Sequence, residues 1–239
     1  MQVLRAEMLG LTIGAVLVLA ASGASATGLG DRDGPRRTWT GCYAGAHAGW
    51  GWANTQGRFT DAVSAGNFPY DYDSDGGLAG LHAGCDYRIS SFLVIGVVGD
   101  YDWADLSGSQ ANIADTTGTF LTLYTHAADM DQMASVRARL GVMDVNALWY
   151  VTGGWAWART EHSLRITGAA APFLSYKDDR NGWTLGAGVE KYLSPHLTGF
   201  VEYRFTRIEG GTTVAPAVNT IDHLSDTDVH SLRFGFSFR

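Results

Sequence analysis

Three stretches of this sequence alternate large apolar residues with small or polar ones at a period of two, over ten residues or more. In residues 92–105, FLVIGVVGDYDWAD, one face carries Leu93, Ile95, Val97, Tyr101 and Trp103, and the other carries Val94, Gly96, Val98, Asp100 and Asp102. Residues 146–159 set Ala147, Trp149, Val151, Gly153, Trp155 and Trp157 against Leu148, Tyr150, Thr152, Gly154 and Ala156. The final HSLRFGFSFR sets Leu232, Phe234, Phe236 and Phe238 against Ser231, Arg233, Gly235 and Ser237. A helix turns by about 100° per residue and would scatter these sets around its circumference, whereas a strand keeps each set on one face. The fold is therefore built from long strands.

The same figure recurs along the chain and predicts eight strands, at about 40–54, 76–89, 92–106, 131–143, 146–161, 181–193, 197–209 and 229–238. Their connections alternate in length. Short turns are expected at Ser90-Ser91, Asp144-Val145 and Ser194-Pro195-His196, and long polar loops at about 55–75, 107–130, 162–180 and 210–228. Four long structureless loops argue against an ordinary globular domain. They suit an eight-stranded antiparallel up-and-down transmembrane β-barrel, with short periplasmic turns and long extracellular loops.

The chemistry of the two faces separates a membrane barrel from a soluble one. A soluble sandwich turns its charged residues outward. Here one face holds Leu, Val, Ile, Phe and Trp with almost no charge, and the other holds glycine, small residues and isolated charges. Trp50, Trp52, Trp103, Trp155, Trp157 and Trp183 fall on the apolar face near predicted long loops, and Trp149 lies beside a short turn. That is the pattern of an aromatic girdle at the headgroup level. A soluble barrel whose exposed aromatics serve a ligand is the alternative. Glycine, at 31 of 239 residues, suits either case by relieving crowding in a strongly curved closed sheet.

The only continuous apolar run is N-terminal: Arg5 precedes LGLTIGAVLVLAASG, and Ala24-Ser25-Ala26 supplies small residues for cleavage. Residues 1–26 read as a signal peptide, 27–38 as a flexible periplasmic leader and 39–239 as the barrel domain. A formal net charge of −7 argues against a nucleic-acid partner. Export places Cys42 and Cys85 where oxidation is allowed. Both fall on the lipid face near the periplasmic ends of the first two strands, where cross-strand neighbours stand slightly too far apart for a relaxed disulfide, so two packed thiols are expected, with a bridge as the alternative.

The alternation turns Asp100, Asp102, Glu190 and Glu202 inward together with Arg137, Arg139, Arg204 and Arg233. Four acids facing four arginines in a lumen barely wide enough for side chains predict a charge network that ties strands together and plugs the barrel. Individually solvated, weakly coupled charges are the alternative.

Three further features bear on function. Residues 71–77, DYDSDGG, copy the D-x-D-x-D-G start of a calcium-binding EF-hand loop. The twelfth position is His82 rather than an acid, so Asp71, Asp73 and Asp75 read as the solvated acidic end of a loop, with a weak divalent-cation site as the alternative. His162-Ser163 would supply a lipid-hydrolysing pair, but neighbours on a strand point to opposite faces, so the expectation is a solvated loop histidine and no enzyme. Phe59, Phe68, Tyr70, Tyr72, Phe120, Tyr124, Phe173 and Tyr176, in predicted loops, suggest either a ligand-binding surface or interfacial packing. No catalytic residue, cofactor or metal ligand is assigned.

WTGCYAGAHAGWGW at 39–52, GGLAGLHAGCDYR at 76–88, GVVGDYDWAD at 96–105, ARLGVMDVNALWYVTGGWAWA at 138–158, GWTLGAGVEKYLSPHLTGFVEYRF at 182–205 and the terminal RFGFSF resemble the small eight-stranded outer-membrane proteins of alphaproteobacteria, often called outer-membrane immunogenic or surface-antigen proteins. The resemblance covers nearly the whole chain after residue 26. It implies an outer-membrane surface protein of structural or host-contact character, porin-like in build and without a common enzymatic activity. The implied partners are outer-membrane lipids, lipopolysaccharide and the barrel-assembly machinery. The sequence departs from the family in carrying Cys42 and Cys85 where aromatics are usual, and in placing Arg239 after the aromatic Phe238 that assembly machinery reads.

Overall fold

The computed structural model describes residues 39–61, 66–117, 123–144, 147–172, 174–215 and 220–239. The segments read as signal peptide and leader, 1–26 and 27–38, lie outside them, as do Phe120 and Phe173. Among the described residues every regular element is a strand: β1 (Gly41–Asp61), β2 (Asn67–Arg88), β3 (Leu93–Ile113), β4 (Tyr124–Asp144), β5 (Ala147–Ile166), β6 (Leu174–Tyr192), β7 (Leu197–Ile208), β8 (Gly211–Ala215), β9 (Thr220–Leu224) and β10 (Thr227–Phe238). Consecutive strands from β1 to β7 pair antiparallel, β7 pairs with β10, and β10 closes on β1 from Ala44↔Phe238 to Asn54↔Asp228. Eight strands thus form a closed ring with no free edge at this level, which is what a backbone crossing lipid requires.

The four long loops are not structureless. Strands β1 to β6 continue well past the expected boundaries, so most of 55–75, 107–130 and 162–180 is paired, and 210–228 supplies the β8–β9 hairpin. The period of two persists there, but its chemistry inverts. On β2, Phe68, Tyr70 and Tyr72 point inward and are buried, while Asp71, Asp73 and Asp75 point outward and are exposed. Outside the lipid the outer face meets water, so polar residues belong outside and large apolar ones inside.

Tryptophan marks the level at which this change occurs. Outward residues run Trp50, Trp52, Asn54, Gln56 on β1, Trp103, Asp105 on β3, and Trp155, Trp157, Arg159 on β5; on β6, Asp179 and Asn181 precede Trp183. Trp149 lies at the other end, exposed beside the β4–β5 turn. Between these levels the outer face carries Leu81, Val97, Val136, Leu140, Val151, Leu185, Phe234 and Phe236, all exposed. Phe238 is 65% exposed, which only a lipid surround makes favourable. The barrel therefore has a membrane-spanning story between the tryptophan levels and an upper story beyond them.

Inward glycines let strands approach closely. A Cβ on Gly154 would stand 2.1 Å from the Val136 carbonyl oxygen, and one on Gly45 would stand 1.9 Å from that of Phe236, across the closing β1–β10 pair. At the periplasmic end Cys42 and Cys85 are direct cross-strand partners on the outer face and are joined as a disulfide.

Candidate functional site: the lumen and the chamber above it

The inward side chains stack in layers. The lowest is an apolar lid of Trp39, Val94, Leu148 and Tyr192, with the Trp39 and Tyr192 rings 4.6 Å apart. Arg239 folds in against it, 5.0 Å from the Trp39 ring and 4.3 Å from that of Tyr43. The same guanidinium reaches Asp86 at 2.6 Å and Glu190 at 3.2 Å.

Above the lid lies a lower ionic cluster. Arg139 donates to Asp86 and to the Tyr43 hydroxyl, each at 3.0 Å, and to Glu190, and its guanidinium sits 3.9 Å over the Tyr150 ring. Thr198 donates to Glu190 at 2.6 Å.

An upper ionic cluster follows. Arg137 donates to Asp100 and Glu202, each at 2.9 Å; Arg204 donates to the same two carboxylates at 2.6 and 2.9 Å. Arg233 donates to Asp102 at 2.6 Å. Asp102 also binds His47, whose Nδ1 lies 3.2 Å from that of His82, and His82 reaches the Ser237 hydroxyl at 2.8 Å. A void of about 30 Å³ remains among these groups, room for a water rather than for a permeating solute.

The eight charges read from the sequence all lie in this lumen and are almost fully buried. They divide into two clusters rather than one, and each cluster uses groups outside the expected network: Asp86 and Arg239 below, His47 and His82 above. The alternation itself reaches these positions, since Asp86 follows His82 at even spacing on β2 and Arg239 is one step past outward-facing Phe238.

A septum without charge closes the top of the membrane-spanning story: Ala53, Leu106, Met130, Met133, Ala156, Ala158, Ile208 and Val229. Beyond it, the upper story encloses an aromatic chamber. The Phe59 and Phe68 rings stack at 4.6 Å, and Tyr124 meets both edge-on. Below these rings Asp222 of β9 is a hub, accepting from Tyr70 of β2 at 2.7 Å and Tyr176 of β6 at 2.6 Å, with His126 of β4 at 3.2 Å. Burial would raise the Asp222 carboxyl, but the hydrogen bonds from His126, Tyr176 and Tyr70 outweigh it and hold the group below the usual carboxylate range. Burial and Asp222 together push the Tyr70, Tyr72 and Tyr176 hydroxyls up, so they remain donors.

The other sequence candidates resolve as follows. His162 is not a solvated loop residue: it is buried on β5, its ring stacked 5.1 Å from that of Tyr176 and tilted at 5.6 Å from that of His126. Ser163 lies on the opposite face, so the two do not form a catalytic pair. Phe59, Phe68, Tyr70 and Tyr72 stand on strands rather than in loops and point into the chamber rather than toward the membrane interface. Asp71, Asp73 and Asp75 stand on a strand rather than at a loop end, and Asn54 donates to Asp71 and Asp73 at 3.2 and 3.1 Å. Among the described residues no three His, Cys, Asp or Glu side chains converge as a metal site.

Residues 13–239 match the family model described as the outer membrane protein beta-barrel domain. The chain belongs to that family. This outer-membrane barrel is 26% identical over 209 residues to the 31 kDa outer-membrane immunogenic protein of Brucella melitensis biotype 1, with 84% of each chain covered. It is 28% identical over 197 residues to the 25 kDa outer-membrane immunogenic protein of Brucella canis, covering 79% of this chain and 77% of that one. Among solved structures it is similar to the outer membrane protease OmpT of Escherichia coli, with a TM-score of 0.50, 9% identity and coverage of 84% of this chain and 97% of that one. At that identity the likeness is one of fold alone. The resemblance to small alphaproteobacterial outer-membrane proteins, the all-β barrel class and the outer-membrane location are thus borne out.

Proposed function

We propose that this outer-membrane barrel is a sealed, non-catalytic surface protein. On this reading the membrane-spanning story anchors it and contributes to envelope integrity, and the upper story projects a braced strand surface for contact with the environment or a host. The observation that carries this reading is the filled lumen: two ionic clusters between an apolar lid and an apolar septum. Arginine forks bind two carboxylates at once and leave no file of free space for a solute. The names of the Brucella relatives, as immunogenic outer-membrane proteins, support a surface role. The belt's partners are then outer-membrane lipids and lipopolysaccharide, and the barrel-assembly machinery acts during biogenesis.

Reconstitution in planar bilayers tests the sealed lumen: the expected result is no steady conductance, and ion-selective channels in the nanosiemens range would overturn it. Purified protein in detergent is expected to leave lipid acyl chains intact. Deletion of the gene is expected to raise detergent sensitivity or reduce surface binding without lowering small-solute uptake.

A further inference from the structure

The upper story is an open sheet, unlike the closed ring beneath it. The β6–β7 ladder ends at Gly182↔Ile208, and the last backbone link across that pair is the Glu209 N–H to the Asn181 carbonyl at 2.9 Å. Past that point β6 pairs only with β5, and β8 pairs only with β9. Among the described residues no ladder joins residues 174–180 to 211–215, so two strand edges face each other above the membrane. An unpaired edge is tolerable there because water reaches it.

What spans this seam is side chains. Tyr176 reaches from β6 to Asp222 on β9 at 2.6 Å, and the Arg180 guanidinium donates to the Glu209 carbonyl at 3.4 Å. On its other side Asp222 is tied to β2 and β4 through Tyr70 and His126. His162 packs flat against Tyr176, next to this hub, and its buried Nδ1 has no hydrogen-bond partner among the described residues.

We propose that this seam is an acid-released clasp: protonation of His162 parts β6 from the β8–β9 hairpin and opens the upper chamber, while the membrane-spanning ring stays closed. The inference is independent of the sealed-lumen reading.

The surroundings of His162 favour its neutral form. β4 presents His126; β6 presents Arg180, already paired with Asp178, and the Tyr176 hydroxyl. β2 presents the hydroxyls of Tyr70 and Tyr72, and β9 presents Asp222. At this level β1, β3, β7 and β10 bring uncharged side chains such as Thr55, Leu106, Ile208 and Thr227. The one carboxylate at the hub, Asp222, is already hydrogen-bonded to three side chains, so a proton on His162 adds a cation beside His126 and Arg180 with no new counter-ion.

Burial first, then His126, push the His162 imidazole down to about 3, with Asp222 pulling more weakly the other way. A group whose pKa is lower when closed than when solvated binds its proton preferentially in the open form. Closure is therefore at full strength above the solvated histidine value of about 6.5 and weakens by about tenfold per pH unit below it. Asp222, held below the usual carboxylate range, stays ionised through this window and does not drive the opening.

Hydroxyl-radical footprinting of the full chain refolded in detergent tests the clasp. The closed-to-open ratio is expected to fall by about 15-fold between about pH 6.5 and pH 5. Modification of Tyr70, Tyr72 and Tyr176 rises accordingly, Tyr43 and Tyr150 in the membrane-spanning lumen stay protected, and the change reverses at neutral pH. His162→Leu removes the acid response, and His162→Gln serves the same purpose if the leucine variant fails to refold. Tyr176→Phe, which loses the tie to Asp222, raises modification at neutral pH. The proposal is overturned if the wild-type chamber stays protected at pH 5, if Tyr43 and Tyr150 become exposed along with it, or if either His162 variant opens in acid as readily as wild type.

Discussion

The guanidinium of Arg239 lies 5.0 Å from the indole ring of Trp39, joining the two ends of the barrel domain across its periplasmic mouth. Arg239 also binds Asp86 and Glu190, so it holds β2 and β6 to the end of β10. Arg239→Ala should leave two buried carboxylates sharing Arg139 alone, lowering stability by about 3 kcal/mol. Arg239→Lys should recover part of the loss, because an ammonium keeps the charge but not the planar fork. The urea midpoint of the heat-dependent gel shift reads both.

Removing an arginine from the upper ionic cluster should be costlier than removing any outward aspartate. Arg204→Ala strands Asp100 and Glu202 with one fewer cation each and should cost about 3–5 kcal/mol; Arg137→Ala should behave alike. Asp73→Ala, exposed on β2, should stay within about 0.5 kcal/mol. Equal urea midpoints for Arg204→Ala and Asp73→Ala would mean that trapped water, rather than the network, satisfies these charges.

The Cys42–Cys85 bridge closes a loop of sequence separation 43, and so constrains the unfolded chain. Heat-unfolded protein should migrate faster without reductant than with it. Cys42→Ser with Cys85→Ser should still form the barrel, since the β1–β2 ladder extends from Gly41↔Asp86 to Thr60↔Asn67, but with about 2–4 kcal/mol less stability. Full thiol labelling of the unfolded wild-type chain without reductant would contradict the bridge.

Closure of the ring depends on a glycine. A Cβ at Gly45 would meet the Phe236 carbonyl oxygen at 1.9 Å, while one at Gly77 would meet nothing within 4 Å. Gly45→Ala should therefore cost about 1–3 kcal/mol or more and lower the refolding yield in detergent. Gly77→Ala should match wild type in the same assay.

Much of the lower story was legible in the sequence, because a period of two is a local property: once Val98 faces inward, Asp100 and Asp102 follow, and Phe234 and Phe236 face lipid once Arg233 does not. The same rule places His47, His82, Asp86 and Arg239 in the lumen, although their short-range context gives them no charge partner to announce the role. The upper story was read as loop because the alternation of Phe68, Tyr70 and Tyr72 against Asp71, Asp73 and Asp75 carries the polarity of a strand in water, while its neighbours carry that of a strand in lipid. The tryptophans mark in the sequence where the lipid ends, but only the assembled strands show that the chain beyond them stays paired. Likewise the Asp222 hub draws Tyr70, His126 and Tyr176 from three distant strands. The sequence by itself determined which face each residue takes. The tertiary structure alone decided which faces meet, because cross-barrel contacts depend on the relative register of strands that no short-range pattern encodes.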